Sequence, residues 1–297
     1  MKAGTKNFSL FILGALFFLN ILAWTAVYDL SNSRFLEVNF FDVGQGDSIF
    51  IETPQRHQIL IDGGPSSVVL EKLGKEIPFF DKTIDLIILT HPERDHISGL
   101  IEVLKRYEVE NILWTGAIRN TSEYQEWIKL IREEKAKIFI AKSGQKIICP
   151  AGKEGRKGEY MEILHPLESL EGREFKNDSN DTSIVIKLVF DKESFLFTGD
   201  ISAKTEENLK AANFLLKSDI LKVAHHGSRY SSSDYFLESV LPEIAVIQVG
   251  KNSYGHPSEE TLSRLEKFGI KILRTDLDGD IKIVSDGEKY EISNFQN

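Results

Sequence analysis

Ile84-Asp85-Leu86-Ile87-Ile88-Leu89-Thr90-His91-Pro92-Glu93-Arg94-Asp95-His96 is the stretch that decides the fold. Ile84 to Leu89 is a largely apolar run of strand length, the kind buried on both faces of a sheet. His91, Glu93, Asp95 and His96 follow at once, before a helix predicted over Ser98 to Tyr107. Loops at strand ends hold polar side chains rigidly at the edge of a sheet. Imidazole and carboxylate together suit Zn²⁺, Mn²⁺ or Fe²⁺. The competing reading, a solvated polar turn, leaves two histidines and two acids directly after a core strand without a reason. Arg94, inside the cluster, is either a phosphate contact or a solvated side chain.

Two more strand ends carry similar groups. Phe195-Leu196-Phe197-Thr198-Gly199-Asp200 ends an apolar run in Gly-Asp, although Asp200 alone could simply cap the next helix. Leu221-Lys222-Val223-Ala224-His225-His226-Gly227-Ser228 ends in two histidines and a glycine turn. Adjacent side chains on an extended strand point to opposite faces, so one of the two histidines should face a shared site. Three strand ends offering His, Asp and Glu can build one binuclear centre. Bridged metals about 3.5–4 Å apart lower the pKa of a shared water and clamp both oxygens of a displacement.

Working outward, strands are predicted at Phe35 to Phe41, Ser48 to Glu52, Gln58 to Ile61, Asn111 to Trp114, Lys137 to Ile140 and Glu162 to Leu164. Helices are predicted at Ser67 to Gly74 and Ser122 to Lys135. Pro150 to Tyr160 is Gly- and Lys-rich and reads as an exposed hairpin tip. The second half repeats the plan: strands at Ser183 to Phe190, Ser194 to Thr198, Ile220 to Ala224, Ile244 to Val249, Lys271 to Arg274, Asp280 to Val284 and Lys289 to Ile292. Its helices fall at Lys204 to Ala211, Ser233 to Val240 and Ser258 to Phe268. This order suggests two central sheets with helices outside.

The chain has 297 residues with a formal net charge of −9, which argues against tight, non-specific DNA wrapping but not against a brief contact at a metal site. Its one cysteine, Cys149, allows no internal disulfide and is expected to be buried. Leu10 to Val27 is nearly all apolar, with Lys2 and Lys6 before it. At ~1.5 Å per residue such a run can cross a ~30 Å hydrocarbon core. The positive-inside rule then puts everything after Asp29 outside the cytoplasm. A cleaved signal peptide and a buried core helix are the alternatives. Residues 1–30 are thus expected to be a membrane anchor, Ser31 to Arg34 a linker, and 35–297 the catalytic domain.

His91-x-Glu93-x-Asp95-His96 resembles the H-x-[HDE]-x-D-H motif of the metallo-β-lactamase superfamily. Within it, Phe41-Asp42-Val43-Gly44-Gln45-Gly46-Asp47, Leu60-Ile61-Asp62-Gly63-Gly64, Thr198-Gly199-Asp200, Lys222 to Ser228, Asn252 to Pro257 and Arg274-Thr275-Asp276 resemble the hydrolase domain of ComEC-type competence proteins. The resemblance implies an αββα sandwich and two divalent ions, Zn or Mn. It implies that His91 and Glu93 hold the first metal and Asp95 and His96 the second, that Asp200 bridges, and that His225 completes the second site. Asp95 and His226 are then the candidate catalytic residues, and Asp62 orients a ligand. Many members carry His where Glu93 stands, and a further ligand His where this chain has Asn180-Asp181-Thr182-Ser183, so either Asn180 or Asp181 serves there or the first metal is weakly held, with Ser183 expected to support a ligand or touch substrate. His165 is expected to be structural. Lys222, Asn252 and His256 are candidate substrate contacts.

The implied function is a phosphodiesterase or nuclease outside the cytoplasmic membrane, with a metal-bound hydroxide attacking single-stranded DNA or another phosphodiester. A lactonase or other ester or amide hydrolase fits the same site, and a non-catalytic anchored module of DNA-uptake machinery is the reading without turnover.

Overall fold

The computed structural model describes residues 3–31, 35–149, 159–177 and 179–294. Most of the expected linker and of the hairpin tip, and the side chain of Cys149, lie outside the described residues. Helix α1 (Ala3–Ser31) contains Leu10–Val27, a window long and apolar enough to cross a membrane and 0% buried.

Alternating apolar residues then build two sheets. β1 (Leu36–Phe40), β2 (Ile49–Glu52) and β3 (Gln58–Ile61) are antiparallel neighbours. α2 (Val68–Glu76), β4 (Thr83–Leu89), α3 (Arg94–Leu104), β5 (Glu108–Trp114), α4 (Ser122–Glu133) and β6 (Lys137–Ile140) continue the first sheet in parallel with β3. β7 (Lys146–Cys149), β8 (Glu159–His165), β9 (Val185–Phe190) and β10 (Glu193–Phe197) open the second sheet, antiparallel. α5 (Ala203–Ala211), β11 (Ile220–Lys222), α6 (Asp234–Val240), β12 (Ile244–Ile247), α7 (Glu259–Lys267) and β13 (Lys271–Arg274) extend it in parallel. After α8 (Thr275–Asp278), β14 (Ile281–Ser285) and β15 (Tyr290–Asn294) return to the first sheet. Its order is β15-β14-β1-β2-β3-β4-β5-β6; that of the second is β13-β12-β11-β10-β9-β8-β7.

Three apolar layers hold this αββα sandwich together. Val38, Phe40, Ile51, Ile88, Ile186, Phe195 and Phe197 fill the space between the sheets. Leu60, Ile87 and Leu89 point the other way, against α2, α3 and α4. Leu196, Leu221 and Ile247 meet α5, α6 and α7. Each fully buried Leu, Ile or Phe contributes roughly 1.5–3 kcal/mol. Strand ends rooted in such layers are stiff platforms for polar groups.

Two departures from the expected elements matter. β7 is a strand where none was anticipated. α3 begins at Arg94 rather than Ser98, with Glu93 at its N-cap and His96 N–H and Ile97 N–H both donating to the Glu93 carbonyl. Asp95 and His96 therefore sit in the first helical turn, where the polar ligands hide the apolar rhythm that starts at Ile97.

The turn after β3 lies directly on α3. Gly63 N–H donates to His96 O and Gly99 N–H to Gly64 O, each at 2.9 Å. A Cβ on Gly99 would stand 1.8 Å from the Gly63 carbonyl oxygen. Glycine is therefore required inside this helix even though alanine is the better helix former by ~1 kcal/mol. Gly99→Ala is expected to destabilise the protein by about 1–3 kcal/mol, the scale of overpacking, as read by urea unfolding. A stabilised variant would contradict this contact.

Candidate metal centre

β4, β10 and β11 end at the same edge of the sandwich, and the polar residues after them converge there. His226 Nε2 lies 3.3 Å from both Asp95 Oδ2 and Asp200 Oδ2, and His96 Nε2 lies 3.4 Å from Asp200 Oδ2. Donor atoms of Asp95, His96, Asp200 and His226 all fall within 4.8 Å of one another. His91 packs against His96 with ring centroids 4.1 Å apart.

Hydrogen bonds fix which nitrogen of each ring faces this cluster. His96 Nδ1 is 2.8 Å from Asp62 Oδ2, and His226 Nδ1 is 2.9 Å from the Gln248 carbonyl. Both partners only accept, so both Nδ1 atoms carry protons. His91 Nδ1 touches Thr90 Oγ1 at 3.0 Å and Ser183 Oγ at 3.2 Å. Those hydroxyls spend their own protons on Asp62 Oδ2 and Asn180 O, at 2.6 Å each, so they too accept from His91. Among the described residues, the Nε2 atoms of His91, His96 and His226 and Oδ1 of Asp200 are buried without a hydrogen-bond partner. Buried polar atoms are rarely left so. Nε2 of His96 and of His226 beside the Asp95 and Asp200 carboxylates, each ring backed by a hydrogen bond on its far nitrogen, match the ligand set of a divalent cation.

The electrostatics agree. Burial alone would lower the His96 and His226 pKa values, but Asp200, with Asp62 and Asp95 around His96 and Asp47 beside His226, outweighs it and raises both well above the ordinary value. Without a metal, protons supply the positive charge the carboxylates demand. Burial, with His96 adding to it, lowers His91 to about 3, so that ring is neutral. Asp200 is held well below the usual carboxylate range: His226, His96 and Lys222 overcome its burial.

The structure departs from the expected roles at several positions. His226, not His225, joins the donor cluster. The strand stops at Lys222, and the pair sits in a 3₁₀ turn with φ of 51° and 53°, so strand alternation does not apply. His225 is at the rim, its side chain 30% exposed and its Nε2 4.0 Å from Asp200. Glu93 stands apart from the cluster: Oε1 accepts from Ser179 N–H at 2.8 Å and Ser179 Oγ at 2.7 Å, and Arg119 lies 3.0 Å away. Asp181 caps α5 through Ser202 and Thr205. Lys222 is buried, paired with Asp47 and bonded to Gly199 O at 3.0 Å, behind the cluster rather than at its mouth. Asn252 spends its amide on Gly250, Tyr254 and His256, shaping its own loop. Asn180 does reach the rim, 3.3 Å from His225 Nε2, and His256 stacks edge-on against His225 at 5.3 Å. Arg94 is exposed and faces Glu123. His165 holds the Ser183 carbonyl at 2.8 Å.

Sequence reasoning gave no role to Asp47, Thr90, Arg119, Ser179 or Gln248. Asp47 follows a Gly-x-Gly turn at a strand start, a signal of the kind that flagged Asp200. Arg119 and Ser179 carry no local signal, because their role depends on a contact with Glu93 that only the fold creates.

The profile of the metallo-β-lactamase superfamily matches residues 41–251. "ComE operon protein 3" of Bacillus subtilis is 30% identical over 266 residues, covering 83% of this chain and 32% of that protein. "Competence protein ComA" of Neisseria gonorrhoeae is 32% identical, over 82% of this chain and 31% of its own length. "Recombination protein 2" of Haemophilus influenzae is 28% identical, over 86% and 30%. The chain thus spans about a third of the length of these curated relatives. The metallo-β-lactamase fold protein YhfI from Bacillus subtilis shares the fold, with a TM-score of 0.56 at 13% identity, covering 84% of this chain and 99% of that one.

Metal affinity separates the roles assigned by geometry. His226→Ala is expected to weaken divalent-metal binding, measured by calorimetry, by more than the roughly 10–100-fold typical of losing an orienting partner. Asp62→Ala should fall within that range, and Glu93→Gln should change the tighter binding step little. The proton count gives a second check. Folded-state pKa values of His96 and His226 are raised, so their stabilisation of the metal-free fold is present below the unfolded value and lost as pH rises through the folded one. Metal must displace those protons, so affinity should rise with pH near neutrality, by about tenfold per unit for each proton released. Calorimetry in buffers of different ionisation enthalpy should register that release.

Proposed function

The chain belongs to the metallo-β-lactamase superfamily, and from that premise we propose that it is a metal-dependent phosphodiesterase of ComEC type, anchored by α1 in the cytoplasmic membrane with residues 35–297 outside. The observation that carries the reading is the convergence of the Nε2 atoms of His96 and His226 with the carboxylates of Asp95 and Asp200, with the His91 ring packed against His96. Asp95, His96, Asp200 and His226 would hold one divalent ion, Zn or Mn. His91 and the other oxygen of Asp200 would face a second, more weakly held one, because Glu93 is engaged by Arg119. Bound there, such ions lower the pKa of a water and offset charge that develops on the substrate oxygens.

The chain's own residues supply orientation and proton handling. Asp62 fixes His96 directly and His91 through Thr90. Lys222 and Asp47 form a buried ion pair behind Asp200. At the mouth, burial lowers the His225 pKa against the pull of Asp200, which favours the neutral ring, and with Nε2 facing the Asn180 amide at 3.3 Å that nitrogen would accept a proton during turnover. Asn180 and His256 flank that nitrogen and would touch the substrate.

The relatives' names, one of them a competence protein, support a competence setting; single-stranded DNA as substrate and competence proteins as partners are our reading of that setting. The net charge of −9 favours a short contact over extended wrapping and leaves a small phosphodiester as the second reading.

Metal content by mass spectrometry, paired with cleavage of bis-p-nitrophenyl phosphate and single-stranded DNA, tests this. Bound Zn or Mn is expected, with kcat lowered about 100-fold or more in Asp200→Ala, the scale on which groups that stabilise transition-state charge act. Turnover of lactones or nitrocefin in place of either phosphodiester would sink the phosphodiesterase reading. Bound metal with no turnover would leave an anchored binding module.

A further inference from the structure

We propose that Phe79 and Phe80 form a second membrane contact, seated in the lipid interface beside α1, which holds the metal centre facing away from the bilayer. The proposal rests on the reading that α1 spans a membrane.

Strand directions place the two ends of the domain. β1 runs antiparallel to β2, β2 antiparallel to β3, and β4 and β5 parallel to β3. The first residues of β1, β3, β4 and β5 therefore share one end, and the metal centre follows the last residues of β4 at the other. β4 has seven residues, which separates the ends by roughly 23 Å at ~3.3 Å per residue. The chain enters at the end away from the metal centre. From Val27, the last residue of the apolar window, α1 runs four more residues to Ser31, about 6 Å, and from there to Phe35 is at most about 14 Å of chain. Whatever membrane α1 crosses therefore lies within about 20 Å of that end.

Phe79 and Phe80 lie there too. Lys282 binds Glu37 of β1 at 2.7 Å and Glu76 of α2 at 3.0 Å, which fixes the end of α2 beside the start of β1. Three residues after Glu76, Phe79 is 86% exposed and Phe80 75%, with their rings edge to face at 5.4 Å. This turn is not slack. Asp81 N–H donates to Pro78 O at 2.9 Å, Thr83 N–H to Asp81 Oδ1 at 3.0 Å, and Gln58 Nε2 to Asp81 Oδ2 at 2.9 Å. The backbone is tied so that both rings point outward. Exposed Lys75, which also pairs with Glu71 at 3.2 Å, and exposed Lys82 bracket the pair along the chain. Aromatic rings with basic residues around them suit the headgroup region, where rings enter the apolar boundary and cations meet phosphate.

The test uses the full chain in phospholipid nanodiscs, with Cys149→Ser removing the native thiol. A nitroxide is attached in Phe79→Cys or Phe80→Cys, each of which leaves the other ring in place at an exposed site, and in Tyr254→Cys near the metal centre as the contrast. Collisional relaxation by oxygen and by a water-soluble nickel chelate is measured. The expected result is a severalfold higher ratio of oxygen to nickel accessibility at Phe79 and Phe80 than at Tyr254. Equal ratios at all three positions, with the chain still in the discs, would overturn the proposal and leave the anchor standing. Protection from both reagents at Phe79 and Phe80 would overturn it in favour of a protein partner or second copy. A chain that leaves the discs would overturn the anchor reading and this proposal together.

Discussion

Asp62 accepts hydrogen bonds from Thr90 N–H, Thr90 Oγ1 and His96 Nδ1 while fully buried. The rest of the site depends on that carboxylate. It orients one imidazole itself. By taking the Thr90 hydroxyl proton, it leaves that oxygen only able to accept, which protonates His91 on Nδ1. Gln248 does the same for His226, and its own Nε2 amide is held by the carbonyls of Phe41 and Ser48. Two rings, His96 and His226, are thus turned so that Nε2 meets two carboxylates, and the His91 ring packs beside them. A cluster so arranged carries an excess of lone pairs, and only protons or a cation can balance it.

The sandwich exists to make that geometry stiff. Asp62, His91, Asp200 and His226 each follow a strand whose side chains are locked in an apolar layer, and Gly63 against Gly99 presses the Asp62 turn onto the helix that carries Asp95 and His96. Ligands from separate segments keep their spacing because the layers beneath them cannot slide independently. The same architecture separates the polar cluster from the chain's entry: the strand ends that carry the cluster lie at one edge, and the entry from α1 lies at the other.

Much of this was legible in the sequence. Apolar runs ending in His91, Asp200 and the Lys222 to Ser228 stretch pointed to one shared site, and their periodicity pointed to two sheets with helices outside. What the sequence did not carry was orientation. The choice between His225 and His226 turned on left-handed backbone at both residues, which no alternation rule anticipates. Glu93 has the right chemistry and spacing for a ligand, yet Arg119 and Ser179, distant in the chain, claim its carboxylate. Lys222 looked like a substrate contact because a lysine at a strand end is usually exposed; here Asp47 and Asp200 balance its charge in the interior. β7 is hidden in the sequence because Lys146 to Cys149 runs straight into Pro150 and the Gly- and Lys-rich stretch that reads as loop.

His91, His96 and His226, each protonated on Nδ1 by its partners, are set to present Nε2 to a cation. Nitrogen-15 NMR of the histidine rings in protein loaded with cadmium-113 tests this most directly. The account predicts Nδ1–H tautomers for all three rings, and one-bond coupling to cadmium at Nε2 of His96 and His226. Coupling through Nδ1 of either ring, or coupling to His225 in place of His226, would contradict it.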